Sequence, residues 1–503
     1  MGGNGAERVD EALSDQLAYN LSRIKREIGN SSDIMFRDIQ LNGGESASAQ
    51  AVIIYVDGGT NLQPMLQSLL AANAGGSELV EAEQWIEYWK LNVISGGQVI
   101  EVVSFGELYE GLLNGNSILL IEGCSRGLSI GTQELRARSV EEPNVQSVVR
   151  GPREGFTEVL SWNTSMIRRK IANRHLWIES LKIGKVTKTD VAILYIENIV
   201  AEDVLDEVRA RIAKIDIDGI LESNYIEEHI RDKQITPFPT IFNTERPDVV
   251  AAGLLEGRVA ILVDGTPFAL LVPALFTQFF QSSEDYYQKP DFATLIRMLR
   301  FLSFVLAMLT PSLYIAITTF HQEMLPTTLL YSLASQREGV PFPAFIEALL
   351  METTFEILRE ASVRMPKTIG QSISIVGTLV IGQASVEAGL VSAAMVIVVS
   401  ITAISNFVLP AFNMGISARI VRFLLMILAA SFGLFGIFMG IIVIVVHLCG
   451  LTSFGVPYMA PLAPFRMSDQ KDTLFRIPLP DMLKRPASLP QQNPVRQKKR
   501  GRR

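Results

Sequence analysis

Six charged residues share one short stretch of this 503-residue chain: Glu347, Glu352, Glu356, Arg359, Glu360 and Arg364. Helical spacing over Phe342–Met365 gathers Glu352, Glu356, Arg359 and Glu360 on one side. Ile346, Leu350, Ile357 and Ala361 fall on the other, with Met351 and Leu358 beside them. Glu347 is a charge within that apolar side. Pro341 and Pro343 mark the start of the helix and Pro366 its stop. Four Glu against two Arg leave a net −2 over residues 342–365. Repeated around several copies, such a face makes a negative collar, and carboxylate rings favour cations. The alternative is a helix lying on a membrane with its polar face in water. Glu347 argues for the aqueous path, because a charge facing lipid is expensive. Pro366 and Gly370 supply a joint at which the helix can tilt. Beyond Lys367, Glu387 is the only charged residue before Arg419.

Other polar constellations carry less chemistry. Asp57-Gly58-Gly59 and Asp264-Gly265 are carboxylates at tight turns, and turn formation is the expected role. Arg168, Arg169, Lys170 and Arg174 form a basic helix face, expected to be solvated or to meet another subunit. The terminal VRQKKRGRR is suited to lipid head groups or to fixing topology. No phosphate loop, dinucleotide fingerprint, nucleophile elbow or zinc-protease motif is present, so an enzyme, a cofactor and a nucleic-acid partner are not expected. Two cysteines and four histidines offer no metal-ligand spacing.

The elements that position these residues divide the chain. Up to about Gln288 it is charged and mixed; the long uncharged runs lie after Arg300. Residues 1–30 read as a polar lead-in, helical around Val9–Ile28, with no apolar face to bury. Strand–helix alternation follows, and indicates an α/β architecture. AVIIYVDGGTNLQPMLQSLL and VAILYIENIVAEDVLDEVRARI share one strand–loop–helix pattern. SILLIEGCSRGLSI and VAILVDGTPFALLV share a strand–turn–strand pattern, the second a hairpin about Asp264-Gly265. Two related α/β subdomains are therefore predicted, over residues 31–140 and 141–285, before a helical multispan membrane domain at 286–465 and a basic, Pro-rich tail at 466–503. Phe301–Gln322 is one span, preceded by Lys289, Arg297 and Arg300. Thr368–Ala418 is long enough for two, turning near Glu387, and the run after Phe423 gives another. Met1–Ser31 is polar and charged, unlike a signal peptide, so the first half and the basic tail are both expected in the cytosol. The crossings are then even in number: four, with the helix at 342–365 as an extra re-entrant or pore-side element, or six if that helix crosses and the last run crosses twice.

Three stretches carry a resemblance: VRGPREGFTE, the run from Thr244 to Tyr287, and FEILREASVRMPKTIGQSISIVGTLVIGQASVEAGLVS. Together they resemble the A subunit of GerA-type spore germinant receptors, over about residues 30–465. The resemblance implies a non-enzymatic subunit of the spore inner membrane that forms an oligomeric ring and passes cations when nutrient binds. It also implies a transporter-like B subunit and a lipoprotein C subunit as partners. A sister family of spore membrane proteins, linked to dipicolinate release, has the same architecture. A secondary solute transporter is the rival of another class. The residues expected to form the pore or gate are Glu347, Glu352, Glu356, Arg359, Glu360, Arg364, Pro366 and Glu387.

Overall fold

The computed structural model describes residues 11–42, 48–67, 82–92, 98–133, 143, 146, 148–232, 235–364 and 382–498. The first sheet contains β1 (Ile34–Asn42), β2 (Ser48–Val56), β3 (Val99–Val102), β4 (Ser117–Ile121) and β5 (Gly127–Ile130). Its order is β1-β2-β4-β5-β3, with every neighbouring pair antiparallel. The second sheet contains β6 (Leu176–Ile183), β7 (Thr189–Ile196), β8 (Phe242–Thr244), β9 (Val259–Val263) and β10 (Ala269–Val272). Its order, β6-β7-β9-β10-β8, repeats the first position for position, again antiparallel throughout. The windows paired by sequence pattern occupy equivalent places: β2 and β7 are the second strands, and the hairpins β4–β5 and β9–β10 follow them.

The central strands are apolar on both sides because both sheet faces are covered. Along β7, Ala192, Leu194 and Ile196 enter one core while Val191, Ile193 and Tyr195 enter the other. The helices α2 (Ala82–Asn92) and α3 (Phe105–Leu113) lie in the first half, beside the first sheet; α4 (Leu160–Lys170), α5 (Glu202–Ala213), α6 (Ser223–Ile230) and α7 (Pro247–Leu255) lie in the second. They are preceded by α1 (Leu17–Glu27), which corrects the reading of residues 1–30 as a lead-in with nothing to bury. Leu13, Leu17, Ile24 and Ile28 are buried in the core of the first sheet. The stripe is one residue wide, and the polar residues around it hide it from an average over the segment.

Arg168 joins the two sheets. Its Nε and Nη2 donate to the two carboxylate oxygens of Asp33, each at 2.9 Å, and Nη1 donates to the Leu176 carbonyl at 2.8 Å. Ser31 completes the joint: its hydroxyl donates to Asp33 at 2.7 Å and accepts from the Ile178 backbone N–H at 2.9 Å. The basic cluster is thus used inside the chain, which corrects its reading as a free or intersubunit face. Arg169 and Lys170 pair with Glu154, and Arg174 with Glu27. The Asp-Gly turn of the β9–β10 hairpin is structural as expected, since Asp264 Oδ1 accepts from the backbone N–H of Leu160 at the start of α4.

The second half is a helical bundle. It contains α8 (Pro290–Phe320), α9 (Thr327–Arg337), α10 (Ala344–Arg364), α11 (Gly382–Glu387), α12 (Ala393–Phe407) and α13 (Phe412–Gly450). Two of these, α8 and α13, are long and apolar enough to cross a membrane; α12 is a shorter apolar helix. α13 is two helices in one, because Gly433 has φ 63° and ψ −142°. That conformation suits glycine. The chain doubles back there: a methyl group at Gly440 would lie 2.6 Å from Leu425 Cδ2. At 21 residues, α10 is about 31 Å long. It packs against α8, α12 and α13.

The bundle is bonded to the sheets. Arg297 and Arg300 at the start of α8 both pair with the buried Asp285, and Arg297 also with Asp472. Phe276, Phe279 and Phe280 pack in one core with Phe304, Met414 and Leu425. The boundary expected at 285–286 therefore falls inside a continuous apolar layer. The C-terminal segment returns to the second sheet: Val200 pairs with Gln491, and Arg496 donates to Glu256 at 2.9 Å. First half and tail thus lie at the same end of the bundle.

Candidate functional site

The sequence pattern set Glu352, Glu356, Arg359 and Glu360 on one side of the 342–365 helix, in water or along a path, and Ile346, Leu350 and Ile357 on the other with Glu347 among them. The structure turns Glu352 into the bundle and leaves those three apolar residues on the surface. Glu347 and Glu352 are fully buried, whereas Ile346, Leu350 and Ile357 are 39, 39 and 64% exposed. The reason lies on α13. Arg419 and Arg422 project from an otherwise apolar helix and need anionic partners there, since an unpaired buried cation is costly.

Arg422 Nη2 lies 2.9 Å from Glu352 Oε2, without hydrogen-bond alignment, and 3.1 Å from Glu356 Oε1. Arg419 Nη1 donates to Glu356 Oε2 at 2.6 Å. Arg359 completes the group: its guanidinium lies over the rings of Phe407 and Phe412, 5.3 and 5.8 Å from their centroids. The Asn406 amide, turned with its oxygen toward Arg359, is 2.6 Å from Nη1. Two carboxylates thus face three guanidinium groups within the bundle. The Ser417 hydroxyl, in the same turn of α13 as Arg419, donates to the Pro237 carbonyl of the sheet half at 2.6 Å. The cluster therefore stands where bundle and sheets meet.

Glu347 lies apart from this cluster. Its Oε1 accepts from the backbone N–H of Ser392 at 2.6 Å and from the Ser392 hydroxyl at 2.5 Å. Ser392 is the N-cap of α12, so the carboxylate sits at the positive end of that helix. Arg337 Nε is 3.8 Å from its second oxygen, and Tyr314 OH is 3.2 Å from the Ser392 hydroxyl. The other expected site residues are scattered. Glu360 and Arg364 pair with each other at 2.6 Å on the exposed surface. Glu387 is exposed and accepts from Gln383 at 2.9 Å. Pro366 lies outside the described residues. The sequence reading missed Arg419 and Arg422, although they are the only Asp, Glu, Lys or Arg between Ala388 and Phe465. Charges so isolated in apolar sequence are themselves the signal. Among the described residues no group of three or more His, Cys, Asp and Glu is placed to hold a metal ion.

A family model described as Bacillus/Clostridium GerA spore germination protein matches residues 22–488. The chain belongs to the GerA family. Among curated GerA relatives, spore germination protein KA of Bacillus subtilis is 50% identical over 97% of this chain and 89% of its own length. Spore germination protein B1 of the same organism is 39% identical over 97% of this chain and 100% of its own. A crystal structure of the N-terminal domain of the A subunit of the Bacillus megaterium spore germinant receptor GerK3 is 41% identical, covering 54% of this chain and 99% of that one, with a TM-score of 0.43. GerA membership places the chain in spore germination.

Proposed function

We propose that this GerA protein is the A subunit of a nutrient receptor in the spore inner membrane, and that copies of it form a ring enclosing a nutrient-gated cation path. Its partners in this reading are the transporter-like B subunit and the lipoprotein C subunit. The sheet half and the C-terminal segment both lie in the cytosol, which requires an even number of crossings. Among the described residues α8 leaves the sheet half, α10 returns toward it, α12 ends beside it, and the two limbs of α13 leave and return, an arrangement in keeping with six crossings.

One observation carries the reading. Ile346, Leu350, Thr353, Ile357, Glu360 and Arg364 are all exposed, and they succeed one another at alternating steps of four and three along α10. That spacing is the seam by which parallel helices pack side by side. A stripe with threonine at its middle and an ion pair at its end is poorly suited to hydrocarbon, and well suited to neighbouring copies around a wet axis. The carboxylates at 347, 352 and 356 act behind the stripe: they fix α10 against α12 and α13 so that the stripe points one way.

Cross-linking tests this arrangement. The exposed Cys449 is first replaced by serine; Cys124 is buried and stays. Thr353→Cys and Ile357→Cys are then expected to give covalent multimers in native membranes with a short thiol cross-linker. Val443→Cys, on the exposed face of α13, is expected to give none. Multimers from Val443→Cys alone would place the contact between copies elsewhere.

A further inference from the structure

A cavity of about 710 Å³ lies where the sheets, the bundle and the C-terminal segment meet. Its walls are the end of α7, the Phe407–Ala411 elbow between α12 and α13, and the returning segment with Leu479, Arg485 and Arg496. Four guanidinium groups line it, from Arg246, Arg258, Arg485 and Arg496, against two carboxylates, Asp248 and Glu256. The balance is 4 − 2, or +2.

The two carboxylates are already committed. Asp248 holds Arg246 through both oxygens, at 3.0 and 2.7 Å. Glu256 accepts from Arg496 at 2.9 Å and lies 3.7 Å from Arg258. Arg258 is 5% exposed, and its Nε has no hydrogen-bond partner among the described residues. Arg485 donates only to carbonyl oxygens, those of Leu255 at 2.6 Å, Asn493 at 2.9 Å and Val495 at 2.5 Å. Burial pulls the Arg258 guanidinium below its usual value; burial and the Arg496 charge do the same to Arg485. Arg258 Nη1 is taken by the Pro273 carbonyl and Gln278 Oε1, but its Nε–H is unpartnered among the described residues, and Arg258 shares the single carboxylate of Glu256 with Arg496. Such a surplus of cations over carboxylates is costly unless an anion completes it. The planar guanidinium fork matches a phosphate oxyanion in particular. Phe407, Leu409, Leu255 and Leu479 line the same cavity, so the anion that fits also carries an apolar body.

We propose that this cavity binds a phosphate ester attached to an apolar or aromatic group, taken either from a membrane phospholipid or from a soluble phosphorylated metabolite. Its oxyanion bridges Arg258 to Arg485 and Arg496, and so fastens the C-terminal segment to the sheet half beneath the α12–α13 elbow. Nothing in this site depends on the ring.

The test uses the full chain in neutral detergent, with phenyl phosphate, inorganic phosphate and a short-chain phosphatidylglycerol as probes. Phenyl phosphate, the phosphatidylglycerol, or both, are expected to raise the melting midpoint and to slow hydrogen exchange over residues 483–497, where Arg485 N–H bonds Pro494 and Arg496 N–H bonds Leu483. Protection by the phosphatidylglycerol identifies the lipid source, and protection by phenyl phosphate alone the soluble one. Arg485→Gln is expected to weaken the effect at least about tenfold, a loss of about 1.4 kcal/mol. Should the unliganded Arg485→Gln protein melt abnormally, Arg496→Gln gives the same reading. No response to any probe would overturn the proposal. So would undiminished protection in a normally folded variant, or inorganic phosphate acting as well as both amphiphiles.

Discussion

Replacing Arg422 by leucine is expected to cost the full-length protein about 3–5 kcal/mol, the usual result of removing one partner from a buried ion pair. Arg422 and Glu352 have side-chain exposures of 2 and 0%, so the remaining carboxylate has no route to water. Glu356 keeps Arg419 and softens the loss only in part. The expected phenotype is poor accumulation in the membrane and a much lower melting midpoint in detergent. The double variant Arg422→Leu with Glu352→Leu removes both charges and is expected to recover most of the loss, as buried pairs replaced by apolar groups commonly do. An Arg422→Leu protein that accumulates normally and melts within about 1 °C of the native chain would show that the cluster does not hold α10 to α13.

The second large effect is expected at the joint between the sheets. Arg168→Ala leaves Asp33 buried, with Ser31 as its remaining side-chain partner, and strands the Leu176 carbonyl. A loss of about 3–5 kcal/mol follows. Arg168→Lys is expected to recover only part of it, because a single ammonium cannot span both carboxylate oxygens and the carbonyl. The local readout is hydrogen exchange at Ile178, whose N–H is held by Ser31. Exchange there as slow in Arg168→Ala as in the native chain would remove Arg168 from the joint.

These two sites mark what the sequence made legible. The inner strands of both sheets were readable, because β2, β4 and β9 are short apolar runs closed by Gly or Asp turns, and such runs have few other fates; the edge strands β1 and β8 were not. The kinship of the two halves was readable from such runs taken in pairs, though their strand order was not. The direction in which α10 faces was not. Periodicity separates two sides of a helix but is blind to which side meets a neighbour, and in an apolar surrounding the usual rule, charges outward, fails. Arg419 and Arg422 decide the orientation, from a helix more than 50 residues further along the chain. Arg168 was misread for a related reason. The other three basic residues of its cluster are at least partly exposed, and nothing local shows that Asp33, 135 residues earlier, takes Arg168. The fold-back of α13 rests on one glycine with a positive φ, and a helical glycine looks no different in sequence.

A ring of α10 helices around a cation path is most directly tested by ion flux through the reconstituted receptor carrying Thr353→Lys. Thr353 lies midway along the exposed stripe and away from the buried charges, so the substitution leaves the Glu352–Arg422 contact in place. Potassium flux on addition of nutrient is predicted to fall sharply, since each copy adds a positive charge to the narrow part of the path, while assembly and melting stay as in the native protein. Normal assembly with unchanged potassium flux and unchanged preference for cations would contradict the account, and would place the path away from α10.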